Sequence, residues 1–284
     1  MDEEQAPDTR ADRWARSFGA VAPAYDRGRP GYPPEAARWL VGRDAASVLE
    51  LGAGTGKLTA ELVAQGHDVH ATDPDQLMLD LLAERVPQAR TSVASAEDLP
   101  VADRSIDVVV AAQSFHWFDH EVALPEIARA LKPGGVLALV WNHRDGRIPW
   151  VRRLGDLIGT QEQLTDPADI LSGSGLFEEP ETERFMFWQD INRDSIVDLV
   201  VSRSNVSTLD HAAREAKVAE VVAFYDEFGR GYDGMQLPYV THCFRARVVD
   251  RVSGPTGVDG SETTGVPAPH NDGSDTDMLL IDFR

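Results

Sequence analysis

The sequence predicts an α/β fold with a mostly parallel sheet and helices on both of its faces. From Val48 onward, short apolar β-type runs alternate with helical patterns, and an alternation of this kind is typical of parallel sheets. The first run lies in the segment ASVLELGAGTGKLT, from Ala46 to Thr59, where glycines occupy alternate positions before a helical pattern begins. Right-handed crossovers between the strands then place helices on both sides of the sheet.

The predicted elements follow one another in a regular order. Predicted strands span residues 48–51, 69–72, 90–93, 106–112, 136–141, 184–188 and 237–247. The first predicted helix opens at Pro34, and the later ones span residues 56–65, 76–85, 121–131, 194–201 and 211–228. The LKPGG segment before the fifth strand is predicted to be a structural turn, and residues 147–176 are predicted to be mostly helical.

Composition divides the chain into three parts. Residues 1–12 are acidic and are predicted to be disordered, whereas residues 13–250 have enough apolar positions for one folded domain. Residues 251–284 are rich in Gly, Ser, Thr, Pro and Asp, and such a segment buries too little apolar surface to offset the entropy of ordering. This acidic tail is therefore predicted to be disordered, with a frayed end at MLLIDFR; the alternative is that this short apolar end docks on the fold or on a partner.

Charge and composition exclude several classes of protein. The formal net charge of −20 argues against nucleic-acid partners, which are bound by rows of Lys and Arg. No apolar run is long enough to cross a membrane, and the first ten residues lack the basic and apolar regions of a secretory signal, so a cytoplasmic protein is predicted. The single cysteine, Cys243, excludes an intrachain disulfide and is predicted to fill a strand. No cluster has the spacing of metal ligands.

The glycine turn and Asp73 together predict a site for a nucleotide-like cofactor. Gly52, Gly54 and Gly56 let a ligand touch bare backbone. Asp73, 17 residues beyond Gly56, ends the next apolar run, where a carboxylate can accept both hydroxyls of a ribose. The structural alternative is a tight turn that needs glycine for steric reasons, with Asp73 capping a helix ahead of Pro74.

Spacing distinguishes among the known nucleotide-binding turns. A dinucleotide-binding turn has its third glycine three places after the second, where this chain has Lys57, and this weakens the nicotinamide interpretation. A phosphate-binding P-loop requires glycine in place of Leu51 and Ser or Thr in place of Leu58, so that pattern fails twice.

The E-x-G-x-G-x-G run from Glu50 to Gly56 resembles the first motif of class I S-adenosylmethionine-dependent methyltransferases. Six further segments between Tyr25 and Arg247 resemble, in order, the small-molecule enzymes similar to trans-aconitate methyltransferases: YDRGRPGYP, TDPD, SAEDLP, AAQSFHWFD, RALKPGGVLALVWN and LPYVTHCFRAR. The resemblance implies a Rossmann-like sheet of seven strands, mostly parallel, with an antiparallel last strand. It also implies an N-terminal lid at residues 13–45 and a helical cap formed by insertions at about 147–235.

The same resemblance implies S-adenosylmethionine as the cofactor. The implied cofactor contacts are Glu50, Gly52, Gly54, Gly56, Asp73, Ala96, Glu97 and Gln113. The glycines would flank the methionine part, Glu50 would orient their loop, and Asp73 would hold the ribose. Ala96 and Glu97 would lie by the adenine. Gln113 ends the fourth strand, where ligands of open α/β sheets gather, and would lie beside the methyl-bearing sulfur.

On the acceptor side, the resemblance implies that His116 and Trp117 form the wall between cofactor and substrate. The alternative for these two is a core aromatic pair. The implied substrate contacts are Tyr25, Arg29, Tyr32, Trp141, Asn142 and Arg203. Arg29 lies between two tyrosines and can fork a carboxylate, with a solvated turn residue as the alternative. Arg245 is a further candidate, and a surface charge is the alternative both for it and for Arg203.

The predicted function is in-line methyl transfer from S-adenosylmethionine to a small-molecule acceptor, with a carboxylate among the acceptors implied. A carboxylate is already ionised at neutral pH, so His116 would then shape the pocket, whereas a hydroxyl or amine acceptor would make His116 the base. One alternative is a non-catalytic protein that binds S-adenosylmethionine and regulates, and another is a nicotinamide oxidoreductase. The predicted partner is a small molecule, with neither nucleic acid nor membrane.

Overall fold

The computed structural model describes residues 26–159, 166–203, 206, 209–228 and 235–249. The predictions for residues 1–12, for the 13–25 part of the lid with its candidate Tyr25, and for the tail at 251–284 lie outside these residues. None of the helices described has the length and apolar character needed to cross a membrane.

The predicted α/β fold is confirmed. The strands are β1 (Ser47–Leu51), β2 (Asp68–Asp73), β3 (Arg90–Val93), β4 (Ile106–Ala112), β5 (Leu131–Arg144), β6 (Glu181–Ile191) and β7 (Met235–Arg247). They form one seven-stranded sheet in the order β3-β2-β1-β4-β5-β7-β6. The pairs among β1 to β5 are parallel, and β7 runs antiparallel to both β5 and β6, as the resemblance implied.

The helices also lie close to their predicted positions. They are α1 (Pro34–Val41), α2 (Lys57–Ala64), α3 (Gln76–Arg85), α4 (His120–Ala130), α5 (Pro149–Ile158), α6 (Pro167–Ser174), α7 (Arg193–Val201) and α8 (His211–Phe228). A short 3-10 helix, Phe115–Trp117, lies between β4 and α4. Helix α3 begins where Asp75 accepts a hydrogen bond from the Leu77 amide, which satisfies one of the free donors of the first turn.

The prediction for LKPGG is wrong. These residues are the first part of β5, which starts at Leu131 and pairs that residue with Ile106 of β4. The register shifts between Ile106 and Val108, so the segment is a strand irregularity rather than a separate turn. Gly134 takes the positive φ of 74° that this irregularity requires.

Apolar residues pack on both faces of the sheet. One face of β1, β4 and β5 packs against α4 and α6, and the other packs against α1 and α2. Cys243 is buried in the second of these clusters, where it fills β7 as predicted. A third cluster joins α5, α7 and α8 to β6 and β7, and these helices occupy the region predicted to form a cap.

The parallel register brings the predicted functional segments to one edge of the sheet. Leu51, the last residue of β1, pairs with Thr72 of β2 on one side and with Ala111 of β4 on the other. Asp73, which ends β2, and the residues that follow β1 and β4, including the glycine loop and Gln113, therefore gather at the carboxyl ends of three adjacent strands. Ligands of open α/β sheets bind at such an edge.

Candidate active site

A crevice opens at this edge, between the glycine loop and the N-terminal segment. Its lining residues are Arg29, Pro30, Tyr32, Glu50, Gly52, Ala53, Gly54, Thr55, Lys57, Leu58, Ala112 and Gln113. Six of the residues predicted from the sequence are among them: Arg29, Tyr32, Glu50, Gly52, Gly54 and Gln113. The structure thus brings together residues from the predicted cofactor set and from the predicted substrate set.

The three glycines of the loop all take positive φ, but space constrains them differently. A Cβ on Gly52 would lie 2.6 Å from the Cβ of Ser114, and one on Gly56 would lie 2.7 Å from the Cγ of Leu82. Gly54, at a φ of 56°, would meet nothing within 4 Å. Gly52 and Gly56 are therefore required for packing, whereas Gly54 leaves bare backbone beside open space.

Asp73, at the end of β2, is bound to the glycine loop. Its Oδ2 accepts a hydrogen bond from the Gly54 amide at 2.9 Å, and its Oδ1 accepts one from the Asp75 amide at 2.9 Å. Burial raises the pKa of Asp73 to about 6, although both amides favour its charge. The helix-cap alternative for Asp73 is wrong, because Asp75 caps helix α3.

Glu50 is a buried carboxyl group beneath the crevice. Its Oε2 accepts a hydrogen bond from the Thr59 hydroxyl at 2.6 Å, and this contact joins the end of β1 to the first turn of α2. Burial, opposed by the Thr59 hydrogen bond and assisted by the charge of Asp73, raises the pKa of Glu50 to about 8. The contact between Glu50 and Thr59 fixes the two ends of the loop between β1 and α2 relative to each other. A cation bound beside this loop would stabilise the carboxylate form of Glu50.

Gln113 follows β4 with a positive φ of 61°, which is uncommon for a residue other than glycine. Its amide donates to the Val140 carbonyl at 2.9 Å, and its side chain donates to the Asn142 carbonyl at 3.4 Å. Sparsely populated backbone conformations of this kind cluster at functional sites. The sequence predicts the position of Gln113 but not this conformation.

A cluster of cationic side chains lies next to the crevice, around the buried phenol of Tyr239. Arg203 is buried, and Arg29 and Arg144 are half-buried. Burial raises the pKa of Tyr239, and the positive charges of all three arginines oppose that rise. We call these four residues the arginine cluster. Arg29 belongs both to the cluster and to the crevice wall.

The guanidinium groups of the arginine cluster repel one another. Burial, together with the charges of Arg144 and Arg29, lowers the pKa of Arg203 to about 9. Burial likewise lowers the pKa of Arg144, with a contribution from Arg29. Such a concentration of positive charge fits an anionic ligand.

Backbone carbonyl groups position two members of the arginine cluster. Arg144 donates to the Gly159 carbonyl at 2.6 Å, after α5, and Arg29 donates to the Ser202 carbonyl at 3.1 Å, after α7. Sequence reasoning missed Arg144 and Tyr239. Arg144 ends the long strand β5, and its spacing of two from Asn142 is a signal that it shares that residue's side of the sheet.

Asn142 and Trp141 lie on opposite faces of β5. Asn142 is buried: it donates to the Gly31 carbonyl at 2.9 Å and accepts from the Thr241 hydroxyl at 2.7 Å. Trp141 packs edge-on against Phe244 in the apolar core, 5.8 Å between ring centroids. The prediction that Trp141 faces the crevice is therefore wrong, and Asn142 fastens the N-terminal segment to the sheet.

His116 and Trp117 lie in the 3-10 helix and are both exposed, so the core-pair alternative is wrong. Their rings are 4.6 Å apart. Partial desolvation by the surrounding protein, together with the charge of the nearby His120, lowers the pKa of His116. The imidazole ring is therefore neutral at neutral pH. The buried member of this segment is Phe115.

Three other candidates lie away from the crevice wall. Ala96 is buried in the apolar core beside α4, and the Glu97 carboxylate accepts a hydrogen bond from the Asp119 amide at 2.9 Å. Arg245 pairs with Glu181 at 2.6 Å, and its guanidinium carbon lies 4.5 Å from the centroid of the Trp39 ring, so Arg245 is a surface charge. The described residues contain no group of three or more His, Cys, Asp or Glu side chains arranged to hold a metal ion.

Comparisons with known proteins identify the family. A family described as "Methyltransferase domain" matches residues 49–139. The uncharacterized methyltransferase Rv3342 of Mycobacterium tuberculosis is 43% identical over 234 residues, which cover 81% of this chain and 95% of that protein. The trans-aconitate 2-methyltransferase of Variovorax paradoxus is 38% identical over 128 residues, which cover 44% of this chain and 48% of that protein.

The fold comparison leads to the same family. A solved structure described as a type II methyltransferase, from Anaeromyxobacter dehalogenans, superposes with a TM-score of 0.57 and is 26% identical, covering 77% of this chain and 97% of its own. The glycine loop and the carboxyl groups of Glu50 and Asp73 suit a cationic nucleoside. The chain belongs to the class I S-adenosylmethionine-dependent methyltransferases.

Proposed function

We propose that this methyltransferase acts on a small organic acid and esterifies its carboxylate by in-line methyl transfer. The observation that carries the proposal is the arginine cluster, because Arg29 belongs to both the cluster and the cofactor crevice. A carboxylate held by these guanidinium groups would lie next to the cofactor. Family membership excludes the nicotinamide alternative.

The residues around the crevice fit the cofactor. The bare backbone at Gly54, the Asp73 carboxylate and Gln113 would hold it, with Glu50 beneath the cationic amino-acid part. Ala96 and Glu97 remain the predicted adenine neighbours. When bound, S-adenosylmethionine supplies a methyl group on a positively charged sulfur, and displacement by an acceptor oxygen leaves S-adenosylhomocysteine.

With a carboxylate acceptor, the protein has to orient two reactants but does not have to remove a proton. Holding reactants in line supplies about 7 to 11 kcal/mol, whereas a positioned base supplies a factor of about 10² to 10⁴, or roughly 3 to 5 kcal/mol. Bidentate arginine contacts are suited to such orientation. Tyr32 would complete the acceptor side of the crevice.

The relative whose name gives an acceptor is consistent with this proposal. The Variovorax paradoxus protein is named for trans-aconitate, an organic acid with several carboxylates. The acceptor proposed for this chain rests on the arginine cluster, and the name of this relative refers to an acceptor of the same chemical class.

A product screen tests the proposed acceptor. The enzyme is incubated with S-adenosylmethionine carrying a labelled methyl group and with matched panels of mono-, di- and tricarboxylic acids, their amides and related alcohols. Mass spectrometry is expected to find labelled methyl esters from at least one acid and no product from its amide. Methylation confined to alcohols or amines would contradict the proposal.

Cofactor binding is expected to release a proton from Glu50. The raised pKa of about 8 means that Glu50 is mostly protonated at pH 7 in the free enzyme, and a bound cation favours its carboxylate. The affinity for S-adenosylmethionine should therefore rise with pH up to about 8, by at most about tenfold per pH unit. Calorimetry at pH 7 in two buffers of different ionisation enthalpy measures the proton count.

Glu50→Gln is the control for this proton release. The amide keeps the shape and can still accept from Thr59, but it cannot titrate. The difference in released protons between the two enzymes removes the contribution of the cofactor's own amino group. Equal proton release from both would show that Glu50 is not the source.

His116→Ala is expected to reduce kcat on an acid acceptor by less than about tenfold, because no base is needed for an ionised acceptor. The pH profile of kcat should keep its shape in the variant. A loss of about 100-fold or more, together with loss of a limb of the pH profile, would instead assign His116 the role of general base.

A further inference from the structure

Residues 26–31 extend from the glycine loop to helix α7, and Asp26 lies at the glycine-loop end of this segment. Its carboxylate gathers three side chains. The Thr55 hydroxyl donates to Oδ1 at 2.7 Å, and the Lys57 ammonium lies 3.6 Å from the same oxygen. Arg85, the last residue of α3, forms an ion pair with Oδ2. Asp26 thus connects the N-terminal segment to the loop after β1 and to the helix after β2.

Thr55 is held from two directions. Asp26 accepts its hydroxyl hydrogen, and Arg85 donates to its carbonyl at 3.1 Å. Thr55 is buried between Gly54 and Gly56, which both have positive φ and no side chain of their own to anchor the turn. Contacts at Thr55 therefore restrain the orientation of the backbone that faces the cofactor.

The Asp26 carboxylate is charged at neutral pH. Burial opposes its charge, but hydrogen bonds from Arg85 and Thr55 and the charge of Lys57 lower the pKa of Asp26 below its usual value. Lys57 lines the cofactor crevice. A charged Asp26 consequently holds the Lys57 ammonium against the wall of the crevice.

We propose that Asp26 is a positioning residue for cofactor binding, acting through Thr55 and Lys57 on the glycine loop. Asp26 and Arg85 hold Thr55 from its hydroxyl and its carbonyl, and we call this arrangement the clamp. The clamp restrains the turn in the conformation that leaves the Gly54 backbone exposed to the ligand. Preorganisation of this kind raises affinity because the loop loses less conformational freedom on binding. Asp26 directly follows the predicted contact Tyr25, and the family motif alone does not predict this role.

The residue next to Asp26 offers a matched control. Arg27 donates to both carboxylate oxygens of Asp198 in α7, at 2.8 and 2.9 Å, and its side chain is 61% exposed. An exposed pair of this kind contributes little to stability. Arg27→Met therefore loosens the segment at α7 and leaves the clamp at Thr55 unchanged.

The test compares the affinity of these variants for S-adenosylhomocysteine by calorimetry. Asp26→Ala is expected to raise Kd about tenfold, equivalent to about 1.4 kcal/mol, whereas Arg27→Met should change Kd by less than about twofold. With S-adenosylmethionine, Asp26→Ala should raise KM and leave kcat at saturation within about threefold, because the reacting atoms are not touched. Asp26→Glu keeps a carboxylate and should recover at least part of the lost affinity.

Thr55→Val tests the route of the effect. If Asp26 acts through Thr55, the double variant should bind S-adenosylhomocysteine no more weakly than the weaker single variant, whereas independent effects would add. Additive losses would overturn this route. An unchanged Kd in a folded Asp26→Ala enzyme, or an equal loss in Arg27→Met, would overturn the proposal. Circular dichroism establishes folding, and Asp26→Asn carries the comparison if the alanine variant unfolds.

Discussion

Replacing Arg203 with methionine is expected to lower kcat/KM for the acid acceptor by about 100- to 1,000-fold, or about 2.7 to 4.1 kcal/mol, while the Kd for S-adenosylhomocysteine stays within about twofold. Arg203 is buried beside Arg144 and Arg29, and its charge is retained there against a strong desolvation penalty. Methionine keeps an unbranched, flexible apolar side chain in place of the arginine stem but has no charged group. Removing one guanidinium from a desolvated anion site costs far more than removing one from the surface.

Arg193→Met is the matched control for this variant. Arg193 begins helix α7, beyond whose end Arg203 lies, and the ion pair of Arg193 with Asp226 is exposed, so its loss should change kcat/KM by less than about twofold. Steady-state kinetics with varied acid at saturating S-adenosylmethionine measure both effects. If the two variants behaved alike, or if Arg203→Met altered cofactor affinity as much as acceptor kinetics, the arginine cluster would not be the acceptor site.

Asp73→Ala is expected to weaken binding of S-adenosylmethionine by about 1.5 to 3 kcal/mol, the scale for hydrogen bonds to a charged group, which corresponds to roughly 10- to 150-fold in Kd. Without the carboxylate, the ribose hydroxyls and the Gly54 amide would both lose the group that accepts their hydrogen bonds. Calorimetry measures the dissociation constant directly.

Asp75→Ala separates this effect from a general loss of structure. Asp75 is two residues away and caps α3 through the Leu77 amide, so its loss should cost about 1 kcal/mol of stability and leave cofactor affinity nearly unchanged. An Asp73→Ala enzyme with wild-type Kd would remove Asp73 from the cofactor site. A large loss of affinity in Asp75→Ala would show that helix α3, rather than the Asp73 carboxylate, is responsible.

Most of the fold could be predicted because its elements are encoded locally. Strand β3 and helix α3 have their predicted bounds, at Arg90–Val93 and Gln76–Arg85, since short-range sequence patterns mark them within a few residues. The start of β5 could not be predicted in this way. Leu131 is strand because it pairs with Ile106 of β4, a contact between residues distant in the sequence, and this pairing overrides the turn-forming Pro and Gly that follow.

The cofactor side of the site was also largely predictable, whereas the acceptor side was not. Glu50, Gly52, Gly54 and Gln113 line the crevice because each lies at, or within three residues of, the carboxyl end of a strand at the same edge of the sheet. Strand alternation requires Trp141 and Asn142 to face opposite sides, but it does not say which side carries the crevice. The ends of helices α5 and α7 decide that question, because the carbonyl groups of Gly159 and Ser202, which follow them, position Arg144 and Arg29 on the face opposite Trp141.

The parallel sheet, the glycine turn and its neighbouring acid could be inferred from the amino-acid sequence because they depend on residues close together along the chain, and the family could be inferred from short motifs in a regular order. Only the tertiary structure assembled Arg29, Arg144, Arg203 and Tyr239, and only it placed Asp26 against Thr55. These groups come from segments separated by up to about 210 residues, and an isolated arginine in a sequence carries no sign of burial. The repulsion that marks the cluster arises when folding removes water from charges that are far apart in the unfolded chain.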